Sequence, residues 1–497
     1  MKKTTIIIAS LIIGLTQFSC NKEFLNKTDP TRIGVNTFYQ DQSQIDRALN
    51  GIYGQLQDII NDEWLYSELT SDNTTVDFNP DDRGQASNRE QFEYWVLNPG
   101  TPNIRTMYNK YYNSLFNINY TLSKLPDISD PSVKAVEGQL KFLRAYYYFN
   151  LTRYFGDVIL ITEALDDPTK AWEYVRESQS NVYAQIENDA KDAVALLPVN
   201  YDATSKGKIT KGAALTLLGT LYLTKKQYTD AVNTLSEVLP LGYDLLTSYA
   251  DVFDPNNKNS VESIFEVQYQ GGNDLGEWSG FIYTFAPRLS KDAITGWPQS
   301  NPGGWGIPTK DLIESYEDGD LRKAASIGLD FHSPITGDVV PYIKKYAHPH
   351  AIYGRTDDNW FVFRYSNVLL MLAEAINEQS GPSDAYQYLN RVRTRAGLSP
   401  LSGLDKETLR TAIDHERRVE FAFENDRWFF LKRTKTPEEL ASFLNAYAAR
   451  EKSDPTVTRQ GIPYSGGDYV FNANESLFPV PAEEIRINDK LTQNDGY

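Results

Sequence analysis

Apolar residues recur every three or four positions along most of the chain, which is the spacing of one face of an α-helix. The clearest stripes cover residues 45–59, 108–125 and 136–154. The third is predicted to belong to a helix spanning residues 130–156, because this segment opens with Asp followed by Pro and closes on Gly. Such stripes typically face a protein core. The sequence therefore predicts a mainly α fold.

Two segments share the spacing of a tetratricopeptide helix hairpin. In each, a small residue is followed at offsets of 3, 12, 16 and 19 positions by small or apolar residues. The two sets are Gly219, Tyr222, Ala231, Leu235, Val238 and Ala373, Ile376, Ala385, Leu389, Val392. Turns are expected at residues 225–227 and 379–383. Because the copies begin far apart, a large insertion is expected between the hairpins.

The insertion, roughly residues 240–360, has a different texture from the helical segments. It contains a predicted strand at residues 263–269 and loops rich in Gly and Pro, three of which carry tryptophan. A second irregular stretch covers residues 71–103. Loops held by a rigid scaffold commonly carry function. We therefore expect these two stretches to lie side by side on one face of the helical body.

Composition excludes several classes of protein. The formal net charge is −17, with a pI near 4.8, and this field repels phosphate backbones, which argues against nucleic-acid binding. One cysteine among 497 residues permits no disulfide within the chain and no cysteine-based metal site. The pair His348 and His350 is interpreted as an ordinary loop. No metal ion or cofactor is expected.

The N-terminus predicts a lipoprotein signal peptide. Two lysines precede an apolar run at residues 6–15, which is too short to span a bilayer. The only cysteine, Cys20, follows directly after Ser19, where a lipoprotein signal peptidase cuts and where the thiol accepts a diacylglyceryl group. No later stretch is long and apolar enough to span a membrane. We expect a signal peptide at residues 1–19 and a body tethered through Cys20.

Six motifs in order give the chain a resemblance to a known family. They occupy residues 24–30, 68–73, 140–158, 364–375, 416–428 and 477–497. With the lipoprotein start, they resemble the SusD/RagB family of Bacteroidetes outer-membrane lipoproteins over nearly the full length. The C-terminal motif departs from the family pattern at Asp489 and Asp495, where proline is usual, which affects the turns there.

The resemblance implies a tetratricopeptide-like scaffold bearing an irregular, loop-rich, ligand-binding elaboration. The domain would span residues 20–497, with the scaffold at about 36–70, 104–240 and 360–497 and the elaboration at about 71–103 and 241–359. Family members sit on the cell surface over a SusC-like TonB-dependent transporter. They capture a glycan, or in RagB-type relatives a peptide, and act as a hinged lid for import. The resemblance also implies structural ion pairs or caps at Arg144, Glu374, Glu416 and Arg427.

The ligand-binding face is predicted on the two irregular stretches. Flat rings stack on the apolar faces of sugars, while Asp and Arg bind hydroxyl pairs through bidentate hydrogen bonds. The candidate residues are Trp278, Tyr283, Trp297 and Trp305 from the insertion, with Trp95, Asp72 and Arg83 from the early stretch. Trp360 and Trp428 adjoin helical motifs and are assigned to the fold.

Two other functional classes fit the sequence less well. A glycoside hydrolase needs two facing carboxylates, and 66 acidic residues make such a pair uninformative in sequence. The chain has no nucleophile elbow, phosphate loop or metal-binding motif, so an enzyme is not expected. A plain tetratricopeptide interaction scaffold would not need loops rich in tryptophan.

Overall fold

The structure is a computed structural model that describes residues 39, 41–126, 130–165, 167–272, 276–459 and 461–497. The predicted signal peptide and the lipidation site Cys20 lie outside the described residues. The chain divides into an N-terminal unit, Met1–Arg47, and a body, Ala48–Tyr497. Among the described helices, none has the length and apolar character needed to cross a membrane.

Helices dominate the described residues, so the predicted mainly α fold is confirmed. The α-helices are α1 (Gln42–Ser67), α2 (Gln85–Glu93), α3 (Pro102–Lys124), α4 (Pro131–Phe155), α5 (Gln179–Leu196), α6 (Lys211–Thr224), α7 (Tyr228–Ser236), α8 (Phe281–Phe285), α9 (Asp292–Thr295), α10 (Lys310–Ser315), α11 (Leu321–Ser326), α12 (Tyr365–Ser380), α13 (Tyr386–Arg395), α14 (Lys406–Glu420), α15 (Arg427–Thr434), α16 (Pro437–Ser453) and α17 (Ala482–Ile487). The strands are β1 (Thr74–Thr75), β2 (Val158–Ile159), β3 (Arg176–Glu177), β4 (Ser263–Val267), β5 (Ile307–Pro308), β6 (Ile327–Gly328), β7 (Tyr342–Ile343) and β8 (Trp360–Arg364).

Helix α4 has the ends that its sequence predicts. The Asp130 side chain accepts the backbone N–H of Ser132 and caps the first turn, and Pro131 follows at the first helical position. The helix stops at Gly156, whose φ of 72° is strained for other residues. A Cβ at Gly156 would lie 2.9 Å from the Leu477 side chain, so the glycine also lets the C-terminal segment pack closely.

The two tetratricopeptide-like hairpins form as predicted, by α6 with α7 and by α12 with α13. A Cβ at Gly219 would lie 2.5 Å from the Leu235 side chain, which explains the small residue at the crossing of α6 and α7. The second turn is shorter than predicted, because α12 continues to Ser380 and ends at Gly381. Helix α12 packs on α7, so the two hairpins are neighbours in one stack of helices, although the insertion separates them in sequence.

Short antiparallel strands join the insertion to the helical body. Strand β4 pairs with β8, with Ser263 opposite Arg364, and so brings the two ends of the insertion together. Strand β1 pairs with β5, with Thr75 opposite Ile307. The two irregular stretches therefore lie side by side, as the sequence predicted. Strand β6 pairs with β7 within the insertion.

A buried ion network fastens the insertion to the scaffold. The fully buried guanidinium of Arg364 contacts Glu262 at 2.8 Å, Glu420 at 2.9 Å and Glu424 at 2.7 Å. Arg322, also fully buried, adds contacts to Glu420 at 3.1 Å and to other acids. These residues come from the edge of β4, the end of β8, α11 and the end of α14. Because isolated buried charges are costly, the network strongly favours this arrangement of the segments.

The four residues that the family resemblance implied as ion pairs do form them. The pairs are Arg144 with Asp189, Glu374 with Arg433, Glu416 with Arg322, and Arg427 with Asp72. Trp360 and Trp428 are buried, at 2% and 0% exposure, which agrees with their assignment to the fold.

Candidate ligand-binding site

Four rings from three segments of the chain meet at the surface of the insertion and form what we call the aromatic platform: Tyr283, Trp297, His350 and Tyr353. The Tyr353 ring lies 5.9 Å from that of Trp297 and 5.5 Å from that of Tyr283, between ring centroids. The His350 ring lies 6.0 Å from Trp297 and 5.4 Å from Tyr283. Tyr353 is 43% exposed, and the other three rings are partly exposed. The platform therefore presents ring faces and edges to solvent.

Hydrogen bonds fix the orientation of two platform rings. His350 Nδ1 lies 3.2 Å from the carbonyl oxygen of His348, which only accepts, so Nδ1 carries the proton. His350 Nε2 is then the acceptor in the neutral ring, and the Tyr283 hydroxyl donates to it at 2.5 Å. The backbone N–H of Gly354 donates to the same hydroxyl oxygen at 3.0 Å. Burial raises the pKa of Tyr283, although the Gly354 N–H opposes this.

The local sequence explains how each ring reaches the platform. Helix α8 buries Phe281 and Phe285 and leaves Tyr283 on its outer side. Helix α9 ends at Gly296, whose φ is 75°, and the next residue is Trp297, whose backbone N–H donates to Thr295 Oγ1 at 3.2 Å. These turns are short and internally hydrogen-bonded, so they hold the two rings in defined positions.

Trp278 lies beside the platform in the same part of the insertion. Ser279 pairs with Thr356 in an isolated bridge, which places Trp278 next to the turn that carries Tyr353. The Arg355 guanidinium carbon lies 4.4 Å from the centre of the Trp278 ring, so a cation covers part of this ring. Trp278 is partly exposed and remains a candidate at the edge of the platform.

The prediction that Asp72 and Trp95 contact a ligand is wrong, because the fold buries both side chains. Asp72 has no exposed surface, and its carboxylate contacts Arg427 at 2.8 Å and Arg418 at 2.9 Å. Trp95 is 3% exposed, and its indole N–H donates to the carbonyl of Thr70 at 3.0 Å. Both side chains point into the body, and neither can contact a ligand at the surface.

Arg83 and Trp305 are engaged elsewhere within the chain. Arg83 donates two hydrogen bonds of 2.9 Å to the carboxylate of Glu90, so both of its terminal guanidinium nitrogens are already engaged. Trp305 packs 6.1 Å from the Trp64 ring, with the Arg89 guanidinium 5.1 Å from its own ring. The structure therefore brings Tyr283 and Trp297 together and places Trp278 beside them. Arg83 is exposed and Trp305 partly exposed, and both stay predicted contacts outside the platform.

Sequence reasoning missed two members of the platform, Tyr353 and His350. Residues 348–350 were interpreted as an ordinary loop, and no role was predicted for Tyr353; the structure places the rings of His350 and Tyr353 beside Tyr283 and Trp297. The available signal was a tyrosine followed by glycine, a residue pair that favours a surface turn, and Gly354 does adopt a φ of 77°. Within the described ranges, no group of three or more His, Cys, Asp or Glu side chains is arranged to hold a metal ion.

Comparison with known proteins identifies the family. The profile described as "SusD family" matches residues 335–497, and one described as "Starch-binding associating with outer membrane" matches residues 23–223. Together they span more than two thirds of the chain, and neither description is of a catalytic family.

Individual relatives agree over nearly full length. SusD-like protein P25 of Formosa agariphila is 25% identical, covering 100% of this chain and 99% of its own. The starch-binding protein SusD of Bacteroides thetaiotaomicron is 24% identical over 80% of this chain and 79% of its own. The crystal structure of a SusD-like protein from Bacteroides fragilis is 25% identical, with a TM-score of 0.76, covering 93% of this chain and 99% of that one. The chain therefore belongs to the SusD family.

Proposed function

We propose that this protein captures a glycan on the aromatic platform. The single observation that carries the proposal is the cluster of Trp297, Tyr283, Tyr353 and His350, four rings from separated segments that meet at the surface. Exposing apolar rings to water is unfavourable in free energy. Single exposed rings are common, but a cluster of this kind indicates a binding surface. The starch-binding relatives in the same family support the choice of a carbohydrate.

The platform suits the chemistry of sugars. A pyranose offers C–H faces that stack on rings and hydroxyl groups that accept or donate hydrogen bonds. Trp297 and Tyr353 supply ring surface, and their 61° interplanar angle forms a shallow angled seat rather than a deep pocket. We expect a wet site with an affinity in the micromolar to millimolar range, which corresponds to about −8 to −4 kcal/mol.

The proposal extends to the cell surface and to a transport partner. A binding protein tethered by a lipid at Cys20, with one domain over residues 20–497, cannot move cargo across a membrane alone. We propose that it faces the cell exterior and acts as a hinged lid that passes the glycan to a SusC-like TonB-dependent transporter. The description of the matched family as associating with the outer membrane supports this location.

Binding is tested on the purified protein with a panel of soluble α- and β-glucans, mannans and mixed-linkage glycans. Affinity electrophoresis screens the panel, and calorimetry measures the best ligand. We expect retention by at least one glycan, loss of retention in Trp297→Ala, and no effect of Trp172→Ala, since Trp172 is 54% exposed on a separate hairpin. Capture of peptides at the platform without any glycan would replace this proposal with a RagB-type peptide receptor.

The anchor and the partner need a separate experiment in the native host. Cys20→Ala should move the protein from the membrane fraction to the soluble fraction and abolish labelling with an alkyne fatty acid. A gentle detergent pull-down of the tagged wild-type protein should recover a large β-barrel protein. Recovery of the protein alone, with glycan binding intact, would remove the transporter from the proposal and leave the binding site standing.

A further inference from the structure

A second site candidate is a partly open cavity of about 90 Å³ in the helical body. It lies between α4, α12, strand β8 and the segment that joins α14 to α15. Many cavities of this size are apolar and empty, but this one is lined by charged and amide side chains. The polar lining residues are Glu63, Arg153, Asn367, Arg417, Glu424, Asn425 and Asp426.

The cavity walls carry an excess of unpartnered hydrogen-bond donors. Among the described residues, the buried nitrogens Arg153 Nε, Arg417 Nε, Arg417 Nη1 and Asn425 Nδ2 have no acceptor within hydrogen-bond distance. Against these four nitrogens stands one unpartnered oxygen, Asn425 Oδ1. Buried polar groups in folded proteins are normally satisfied by protein, water or ligand. The cavity therefore presents hydrogen-bond donors that have no acceptor.

Arg153 on the cavity wall and its neighbour Lys432 form no salt bridge with an acidic side chain among the described residues. The Arg153 guanidinium lies between the rings of Phe149 and Phe429, at 4.2 and 3.5 Å, and donates to Asn150. The Lys432 ammonium donates to the Arg153 carbonyl oxygen. Within the part of the chain that is described, no carboxylate lies within 4.0 Å of either cation. Burial and the nearby Arg153 charge lower the pKa of Lys432 to about 7.

The acids that line the cavity are already engaged. Glu424 contacts Arg364 at 2.7 Å, and Asp426 contacts Arg417 at 2.5 Å. The Glu63 carboxyl accepts the hydroxyl protons of two buried tyrosines, at 2.6 and 2.9 Å. Burial raises the pKa of Glu63, while the hydrogen bonds from the two tyrosines and the Arg153 charge lower it. These contacts leave the unpartnered nitrogens of Arg153, Arg417 and Asn425 without an acceptor.

We propose that this cavity binds one small anion, a halide or a compact carboxylate, held by Arg153, Arg417 and Asn425. An anion accepts several charge-assisted hydrogen bonds at once and offsets the unpaired charge of Arg153, which water does not do. Because the cavity is bounded by α4 and by the segment before α15, the bound anion ties the aromatic helix α4 to the last part of the scaffold. The site is separate from the aromatic platform.

Bromide is the probe, since it scatters anomalously and carries the charge of chloride. Crystals of the wild-type protein grown without halide and then soaked in sodium bromide should show one anomalous peak between Arg153 and Arg417. In solution, the melting temperature should rise with the logarithm of bromide concentration, as for any ligand of the folded state. Sodium gluconate at equal ionic strength should have no such effect. Ordered water alone in the cavity, together with equal melting in both salts, would overturn the proposal.

Three variants test whether an anion held by Arg153 causes the bromide response. Arg153→Gln should weaken the response at least about tenfold, the loss expected for a charge-assisted hydrogen bond. Arg486→Gln, at a side chain 72% exposed, should leave it unchanged. Glu63→Gln should keep the response, because Glu63 is not one of the groups that hold the anion. A bromide response that appears only in Glu63→Gln would identify ionised Glu63 as the native counter-charge and would contradict an anion site.

Discussion

The hydroxyl group of Tyr283 donates to His350 Nε2 at 2.5 Å and accepts from the backbone of Gly354. Both hydrogen-bonding functions of this tyrosine are therefore directed into the protein. What Tyr283 presents to a ligand is its ring, and the hydroxyl serves to hold that ring beside Tyr353. This relationship separates the part of the residue that positions the platform from the part that contacts a ligand.

Tyr283→Phe is expected to keep the ring on the platform and to lose the hydrogen bonds that hold the ring in place. The hydroxyl makes two hydrogen bonds, each worth about 0.5–1.5 kcal/mol, but the ring remains, so glycan affinity should fall only a few-fold. Tyr283→Ala removes the ring as well and should reduce affinity at least about tenfold. Calorimetry on both variants checks the order. Equal losses in the two variants would show that the hydroxyl itself contacts the ligand.

Trp297→Ala is expected to lose glycan binding, whereas Trp95→Ala is expected to lose stability. Trp297 is partly exposed, so its loss should abolish glycan binding and change the melting temperature little. Trp95 is 3% exposed, and its loss should lower the free energy of unfolding by about 3–5 kcal/mol. Binding by the folded fraction of Trp95→Ala should remain. The paired measurement is thermal unfolding and glycan affinity, and parallel losses in both variants would refute the platform.

Gly219→Ala is expected to destabilise the first hairpin. The added Cβ would lie 2.5 Å from the Leu235 side chain, and overpacking of this kind costs about 1–3 kcal/mol. Gly54→Ala is the matched control, because a Cβ there meets nothing within 4 Å in the middle of α1. That change should stabilise the protein by about 0.5–1 kcal/mol. Urea unfolding measures both, and a stabilising Gly219→Ala would contradict the close helix crossing.

Asp72→Ala should behave as a stability variant. Its carboxylate is fully buried, the two arginines hold its pKa well below the usual range, and its removal leaves Arg427 with less compensation. Breaking such a buried pair costs about 3–5 kcal/mol. Asp454→Ala breaks the exposed contact with Lys310 and should change stability by less than about 0.5 kcal/mol. If Asp72→Ala loses glycan affinity without loss of stability, the burial argument is wrong.

Glu68 should make the protein less stable as the pH rises. Burial raises the pKa of its carboxyl from 4.5 to about 8, so the folded chain binds this proton more tightly than the unfolded chain. Its contribution to stability therefore falls from about pH 4.5 to about pH 8 and is constant above that window. Glu68→Gln should reduce the fall in stability across this pH range, measured by urea unfolding at several pH values. The exposed Glu438→Gln is the control and should keep the wild-type slope.

The sequence by itself determined the features that are encoded locally. Apolar spacing, the cap at Asp130, the stop at Gly156 and the small residue at Gly219 each act within a few turns of helix, and the structure has them where they were predicted. The presence of rings in loops rich in Gly and Pro was also visible, and two of the chosen rings, Tyr283 and Trp297, meet at the surface.

Only the tertiary structure decided which side chains are covered. Asp72 looked like a ligand contact because its partner Arg427 is 355 residues away along the chain. His350 joined the site because the chain folds it back onto Tyr283, 67 residues earlier. Local periodicity reports what kind of element a segment forms, but solvent exposure depends on which distant segments pack against it. That is a property of long-range contacts, and it separates a binding residue from a core residue.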